Sequence, residues 1–373
     1  MENETKARGS YRTGRERVER ILDAAHELFI AQGYRATSLR DIARSAGVSH
    51  PAVLRYFSSR GEILTALIAR LDAESAARWE RRGEEGGEPV SASAIARAGR
   101  AVPGWIELFT ALLGEGTSPE HPGHALMLER RRAGIALAID SYMRLGSTAA
   151  QRERELRLLV AGWEGLQILW LYFPGEIDLV GQLARHESDL AGGSAPEPAV
   201  AAEVAPESAD YGVVIAAAAR QYAAHGYYET SMQAVADDAG ITRAALIHTA
   251  PTKRALLDAV LSGLFGAPAD HAEVLGLTAR PRWVTAAEVV LICEATVPSH
   301  PAHVFFRERL ADARTSVEGM LADEGVKDPA IEADWVVGSC LGILIAWLYE
   351  PELVDPSALL QGILSRVRSR AQR

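Results

Sequence analysis

The sequence predicts an all-α protein built from two tandem copies of one helical unit. Three observations carry this. Apolar residues recur at helical spacing along nearly the whole chain, as at Ile21, Leu22, Ala25, Leu28 and Phe29. Alternating β-branched runs bounded by turn residues, the mark of strands, are essentially missing. The chain also repeats itself: Ala24-Ala25, Gly33-Tyr34, Thr37-Ser38, Ala43 and Ala46-Gly47 return 193 residues later as Ala217-Ala218, Gly226-Tyr227, Thr230-Ser231, Ala236 and Ala239-Gly240, with 12 identities over 44 ungapped positions from Ile21.

Each element follows from local signals. The helix containing Ile21–Phe29 ends at Gly33, the residue type that accepts a left-handed C-terminal backbone. Thr37 or Ser38 caps a short helix, Leu39–Ser45, which Gly47 breaks. Ser49 caps the next, His50–Phe57, with Pro51 in its tolerated first turn, and Ser59 caps a long helix from Arg60 to about Glu80. Further on, His121-Pro122-Gly123-His124 recurs as His300-Pro301-Ala302-His303 at an offset of 179. Trp170-Leu171-Tyr172-Phe173-Pro174 recurs as Trp347-Leu348-Tyr349-Glu350-Pro351 at 177. The fall in offset gives the first copy about 14 additional residues, placed in the Gly/Glu-rich loop Gly83–Pro89. The expected organisation is a helix-turn-helix domain at 10–82, a helical C-terminal domain at 90–190, a Pro-rich acidic linker at 191–209, a second helix-turn-helix at 210–266 and a second helical domain at 267–373.

Charge is distributed unevenly. The 373 residues hold 39 Lys plus Arg against 49 Asp plus Glu, a net −10 that by itself argues against a polybasic surface binder. Yet Tyr11–Arg60 carries nine arginines against five acids, net +4, and the aligned window Val204–Lys253 carries three bases against five acids, net −2. Two cysteines, Cys293 and Cys340, exclude a disulfide framework and read as small core residues. The polar stretch Met1–Gly14 has no apolar run, and the apolar stretches Leu166–Phe173 and Cys340–Tyr349 are too short to span a bilayer, so the expectation is a cytoplasmic protein without a membrane partner. No nucleophile elbow, phosphate loop or paired-histidine metalloprotease motif occurs, so no catalytic residue and no cofactor is expected.

The residues Ile21-Leu22-Asp23-Ala24-Ala25, Leu28-Phe29, Gly33-Tyr34, Thr37-Ser38-Leu39-Arg40-Asp41-Ile42-Ala43, Ala46-Gly47-Val48-Ser49 and Leu54-Arg55-Tyr56-Phe57-Ser58-Ser59-Arg60 together resemble the DNA-binding domain of TetR-family transcriptional regulators. Leu54 departs from the family's usual Tyr, and Arg60 from its usual Lys with the charge kept. The physical reading agrees: two short helices joined at Gly47 form a helix-turn-helix whose second helix fits a major groove. Its groove-facing set is His50, Pro51, Ala52, Arg55 and Tyr56, with the capping Ser49 counted among the DNA-binding residues. Thr37, Ser38, Tyr56 and Arg60 are placed for phosphates, and Arg8, Arg12 and Arg15 form a basic arm. The resemblance implies a ligand-responsive regulator, a repressor above all, with double-stranded operator DNA and a small hydrophobic effector as partners.

The second copy departs where DNA contact needs it. Arg44 becomes Asp237, Arg55 becomes His248, Tyr56 becomes Thr249, Phe57 becomes Ala250, and the basic arm gives way to Ala205–Asp210. Asp237-Asp238 would repel phosphate, leaving Arg243 and Lys253 as its cations, so this helix-turn-helix reads as degenerate. Trp105, Phe109, Met127, Trp163 and Gln167 either line an effector cavity in the first copy or form its bundle core. The two His-Pro-x-His sets read as duplicated helix starts, since one pair lacks the further ligands of a metal site. Glu153–Tyr172 and Ile331–Tyr349, with the helices that follow, are expected to pair as a pseudo-dimer within the chain, with a homodimer of tandem chains supplying two readers. The alternative is a ligand-sensing or interaction scaffold that has lost DNA binding from both copies.

Overall fold

A computed structural model describes residues 2–84, 91–141, 148–191, 212–266, 270–277 and 280–371. The described residues are helical, without strands, and fall into two compact units, residues 1–89 and 90–373. Most of the Gly83–Pro89 insertion, the linker beyond Ala191 and the Ala205–Asp210 replacement lie outside the described residues.

The first unit contains α1 (Glu2–Gln32), α2 (Leu39–Ser45), α3 (His50–Leu54) and α4 (Arg60–Glu84). Ile21, Ile42, Val53, Ile63 and Leu67 are fully buried and supply its apolar core. Gly33 ends α1 at φ +90°, and Arg70 ties α4 to α1 through Asp23 at 2.7 Å and Glu19 at 3.1 Å. The expected helix to Phe57 is shorter: α3 stops at Leu54, and the Tyr56 N–H tightens the turn by donating to Val53 O at 2.9 Å. The reason is packing. Phe57 drops into the core while Ser59 caps α4 by accepting from the Glu62 N–H at 3.2 Å. Arg12 and Arg15 extend α1 as helix rather than as an irregular arm; Arg15 is exposed, and the side chains of Arg8 and Arg12 lie outside the described residues.

The second unit holds the rest of the first copy, α5 (Ala92–Arg100), α6 (Trp105–Glu115), α7 (His124–Ser141), α8 (Ala149–Tyr172) and α9 (Leu179–Ala191). It also holds the whole described second copy. There α10 (Val213–Glu229), α11 (Met232–Asp238), α12 (Arg243–Thr249) and α13 (Lys253–Phe265) repeat the helix-turn-helix. They are followed by α14 (His271–Leu275), α15 (Arg282–Glu294), α16 (His303–Asp323), α17 (Pro329–Tyr349) and α18 (Pro356–Ala371). The second helix-turn-helix is locked to the bundle by Glu294, whose carboxylate accepts from the Tyr227 N–H at 2.7 Å, just after the α10 kink at Gly226.

Small residues let α8 and α17 cross backbone to backbone. A Cβ on Gly165 would overlap the Gly338 carbonyl, and one on Gly342 would overlap the Ala161 carbonyl. These two contacts exchange under the 177-residue offset, as contacts about a two-fold axis do. The same reciprocity holds where Tyr172 Oη donates to Ile292 O at 2.7 Å and Tyr349 Oη donates to Leu113 O at 3.0 Å. Tyr172 stacks on His303 and Tyr349 on His124, each pair at 16° between rings. Nearest the axis, Gly114 meets Cys293, its own counterpart at offset 179.

Contrary to the length expected from sequence, α17 runs 21 residues and is apolar enough to cross a membrane by composition. Its burial explains the composition: both faces pack, against α8, α16 and α18, so it is a core helix with no face left for lipid.

Candidate nucleic-acid interface

The first helix-turn-helix is built by its caps. The Ser38 hydroxyl accepts from the Asp41 N–H at 3.2 Å, and the Asp41 carboxylate receives the Ser38 N–H at 3.1 Å, closing a capping box on α2. The Ser38 hydroxyl, which donates to the Asp41 carboxylate, and then the Ser38 N–H hold that carboxyl below the usual carboxylate range. Gly47 turns the chain at φ +65°, where a Cβ would be strained, and Ser49 caps α3 by accepting from the Ala52 N–H at 3.3 Å. The surface so formed exposes Ser38, Arg40, Arg44, Ser49, Pro51, Leu54 and Arg55, with His50, Ala52 and Tyr56 half-buried beside them. Arg55 and Arg40 have no hydrogen bond or ion pair among the described residues, whereas Arg44 is bound to Asp41. The Tyr56 hydroxyl lies against Gly14 of α1.

Two residues expected at phosphates do other work. Thr37 is buried, and its hydroxyl donates to Gly33 O at 2.9 Å, fixing the end of α1. The Arg60 guanidinium donates to Thr37 O at 2.8 Å and Arg35 O at 3.1 Å and lies 4.3 Å from the Tyr34 ring centre. The reason is geometric: the chain between α1 and α2 leaves carbonyls that need donors, and the first residue of α4 is within reach. The repeat carried the signal. Thr230 donates to Gly226 O at 2.7 Å, and Lys253 Nζ donates to Tyr228 O at 2.8 Å above the Tyr227 ring, so both roles persist in a copy where Arg40, Arg44 and Arg55 are replaced by Gln233, Asp237 and His248. Conversely Arg40, which the sequence reasoning missed, faces outward and is replaced by Gln233 in the second copy.

The second helix-turn-helix keeps the scaffold. Ser231, Thr242 and Thr252 cap its helices, Gly240 turns at φ +66°, and α12 runs seven residues. Its exposed surface presents Arg243, Ile247, His248 and Thr249. Asp238 is paired to Arg220 at 2.9 Å, while Asp237 accepts from Gln233 at 2.7 Å and stays exposed.

Other predicted site residues fall within the second unit. Trp105 and Phe109 pack on one another with ring centres 4.6 Å apart, under the Arg130 guanidinium. Met127 and Gln167 are buried, and Trp163 is half-buried. A cavity among the described residues lies in the second copy, lined by α14 to α17. The paired histidines are duplicated to the atom: Nδ1 of His121 and His300 accept the Gly123 and Ala302 N–H at 3.1 Å, and Nδ1 of His124 and His303 donate to the Gly116 and Ala295 carbonyls. All four Nδ1 atoms are thereby taken by main chain, which accounts for the recurrence as a helix-entry motif.

Known proteins agree with this geometry. The sequence model of the bacterial regulatory proteins of the tetR family matches twice, at residues 21–67 and 214–260. The uncharacterised HTH-type transcriptional regulator TtgW of Pseudomonas putida is 43% identical over 63 residues, 17% of this chain and 47% of the relative. SrpR, an HTH-type transcriptional regulator of Pseudomonas putida, is 43% identical over 63 residues, covering 17% and 30%. An HTH-type transcriptional repressor of Mycobacterium tuberculosis is 43% identical over 60 residues, covering 16% and 32%. Each match thus spans less than half of the relative's own length.

Proposed function

We propose that this chain, matched at residues 21–67 and 214–260 by the sequence model of the tetR family of bacterial regulatory proteins, is a tandem member of that family and a sequence-specific DNA-binding transcriptional regulator, a repressor released by a small ligand, that reads its operator with the first helix-turn-helix. The observation that carries this is the difference between two copies of one scaffold. The first copy turns Arg40 and Arg55 outward with no hydrogen bond or ion pair among the described residues; the second has Gln233 and His248 in their places, with Asp237 replacing Arg44. Arg55, at the end of α3, suits a guanine edge or a phosphate, and exposed Pro51 suits a thymine methyl. The helix N-terminus capped by Ser38 and the exposed Arg15 suit the phosphate backbone.

The α8–α17 crossing supports a pseudo-dimer within one chain, in which the second copy serves as the partner that a single-copy regulator would find in another molecule. A chain then offers one reader, and two tandem chains meet on an operator with two half-sites. Release requires an effector that binds one arrangement of the helices better than the other. A mobility shift with the DNA upstream of the gene, at two salt concentrations, tests the reading. Salt-dependent binding that Arg55→Ala weakens and His248→Ala does not is the expected result. Absence of binding points instead to a sensing scaffold.

A further inference from the structure

We propose that the face joining the two copies is selective for unlike halves: a first-copy bundle surface fits a second-copy surface, and neither fits its own kind. A homodimer's face must fit itself, and the two copies of this face have diverged from that rule. The proposal rests on the pairing of α8 with α17 and is independent of the DNA reading.

A ring and a gap exclude one like pair. Trp335 of α17 is buried against Gly162 of α8, where a Cβ would overlap three carbons of the indole. His186 of α9 stacks on the same indole with ring centres 3.6 Å apart. At the 177-residue offset the counterparts of Trp335 and Gly162 are Leu158 and Ser339. Two second copies crossing in this way would drive the Ser339 Cβ of one into the Trp335 ring of the other, and would do so twice. Two first copies would instead set Leu158 against Gly162 and leave a void where the indole stands.

Charge weighs against the other like pair. Glu350, buried just beyond α17, accepts from Arg132 at 2.8 Å and lies 3.5 Å from Arg157, both of the first copy. The counterpart of Glu350 is Phe173. Phe173 packs against a different pair of second-copy cations, with the Arg314 guanidinium 4.5 Å and the Arg307 guanidinium 5.4 Å from its ring centre. Arg314 is also held by Asp334 at 2.6 Å and by Glu176 of the first copy at 3.3 Å. Two first copies would bring Phe173 opposite Arg132 and Arg157, removing the carboxylate that these two guanidiniums share, again twice. The unlike pair alone joins ring to gap and carboxylate to cations. This is selectivity made partly by obstruction and partly by attraction.

The test starts with the intact chain. Gly162→Ser should lower the urea midpoint by about 1 M, and adding Trp335→Leu, which copies the Leu158 and Ser339 combination, should recover about half of that loss. No loss, or no recovery, overturns the fit of ring to gap. Partner choice is then read on the full chain cut at a protease site placed in the 191–209 linker, unfolded in urea, refolded and weighed by native mass spectrometry. Unlike pairs should dominate, with like pairs below about a tenth of the complexes. Like pairs in random proportion overturn the proposal, and halves that stay apart overturn the pairing of the copies as well. Ser339→Gly, which opens the missing gap, should raise pairs of second-copy halves at least about fivefold; no rise overturns the steric device. No DNA enters either measurement, so the regulatory reading can fail while this proposal stands.

Discussion

The two helix-turn-helix modules of this chain share a scaffold and differ in what they present. Caps, turn glycines and core positions coincide: Ser38 with Ser231, Ser49 with Thr242 and Gly47 with Gly240 in matching conformation, and Ser59 with Thr252 in making the same capping bond. Outward positions do not, since Arg40, Arg44 and Arg55 face Gln233, Asp237 and His248. The comparison teaches which residues are architecture. A group retained in both modules, such as Thr37 or Arg60, answers to the fold, whereas a group lost from one answers to a ligand. An exposed apolar residue, Leu54 or Ile247, survives in both, and nothing in the structure explains its exposure.

The pairing of the copies can be broken most severely at their crossing. Gly165→Leu should cost more than about 4 kcal/mol, because the new side chain meets backbone rather than a movable side chain. Gly342→Leu, its reciprocal, should cost as much; urea unfolding that gave one large and one negligible loss would break the two-fold relation. Next in size, Arg55→Glu should lower operator affinity by about a hundredfold at low salt while His248→Glu changes it less than about twofold, read by mobility shift.

Acid should expose a further difference. Burial pushes His300 down to about 3, so it is neutral in the folded chain at neutral pH. Its folded value lies below its unfolded 6.5, so the unfolded state binds the extra proton on acidification, and stability falls as pH drops from about 6.5 towards 3. Between pH 7 and pH 5 the loss from this group should be about 2 kcal/mol, and His300→Gln should remove that part of the slope in denaturant melts. Smaller still, Arg60→Ala and Lys253→Ala should each cost about 1–2 kcal/mol, from carbonyls losing donors and from the lost ring contact. At the small end, Gly134→Ala, on an exposed turn of α7 with open space beside it, should stabilise by about 0.5–1 kcal/mol.

The sequence by itself determined the helical class, the duplication, the α2 boundaries, the capping residues and the asymmetry of charge. These are local properties: a cap needs only its own turn, a glycine at positive φ only its own backbone, and a net charge only a count. Tertiary structure decided what each polar side chain is for. From spacing, Thr37 and Arg60 stand among the phosphate contacts; in the fold, unpaired carbonyls at the end of α1 claim both. From composition, Trp105, Phe109 and Trp163 suggest a cavity. In the fold two of these rings pack together, and among the described residues a cavity lies in the second copy, lined by Glu288 and Cys340 at the positions that align with Phe109 and Trp163. A cavity is volume left over after distant elements pack, and a hydrogen bond depends on which donor arrives first at a buried acceptor. Neither quantity is local in sequence, which is why the capping residues were legible one by one while the end of α3 at Leu54 and the partners of the polar side chains were not.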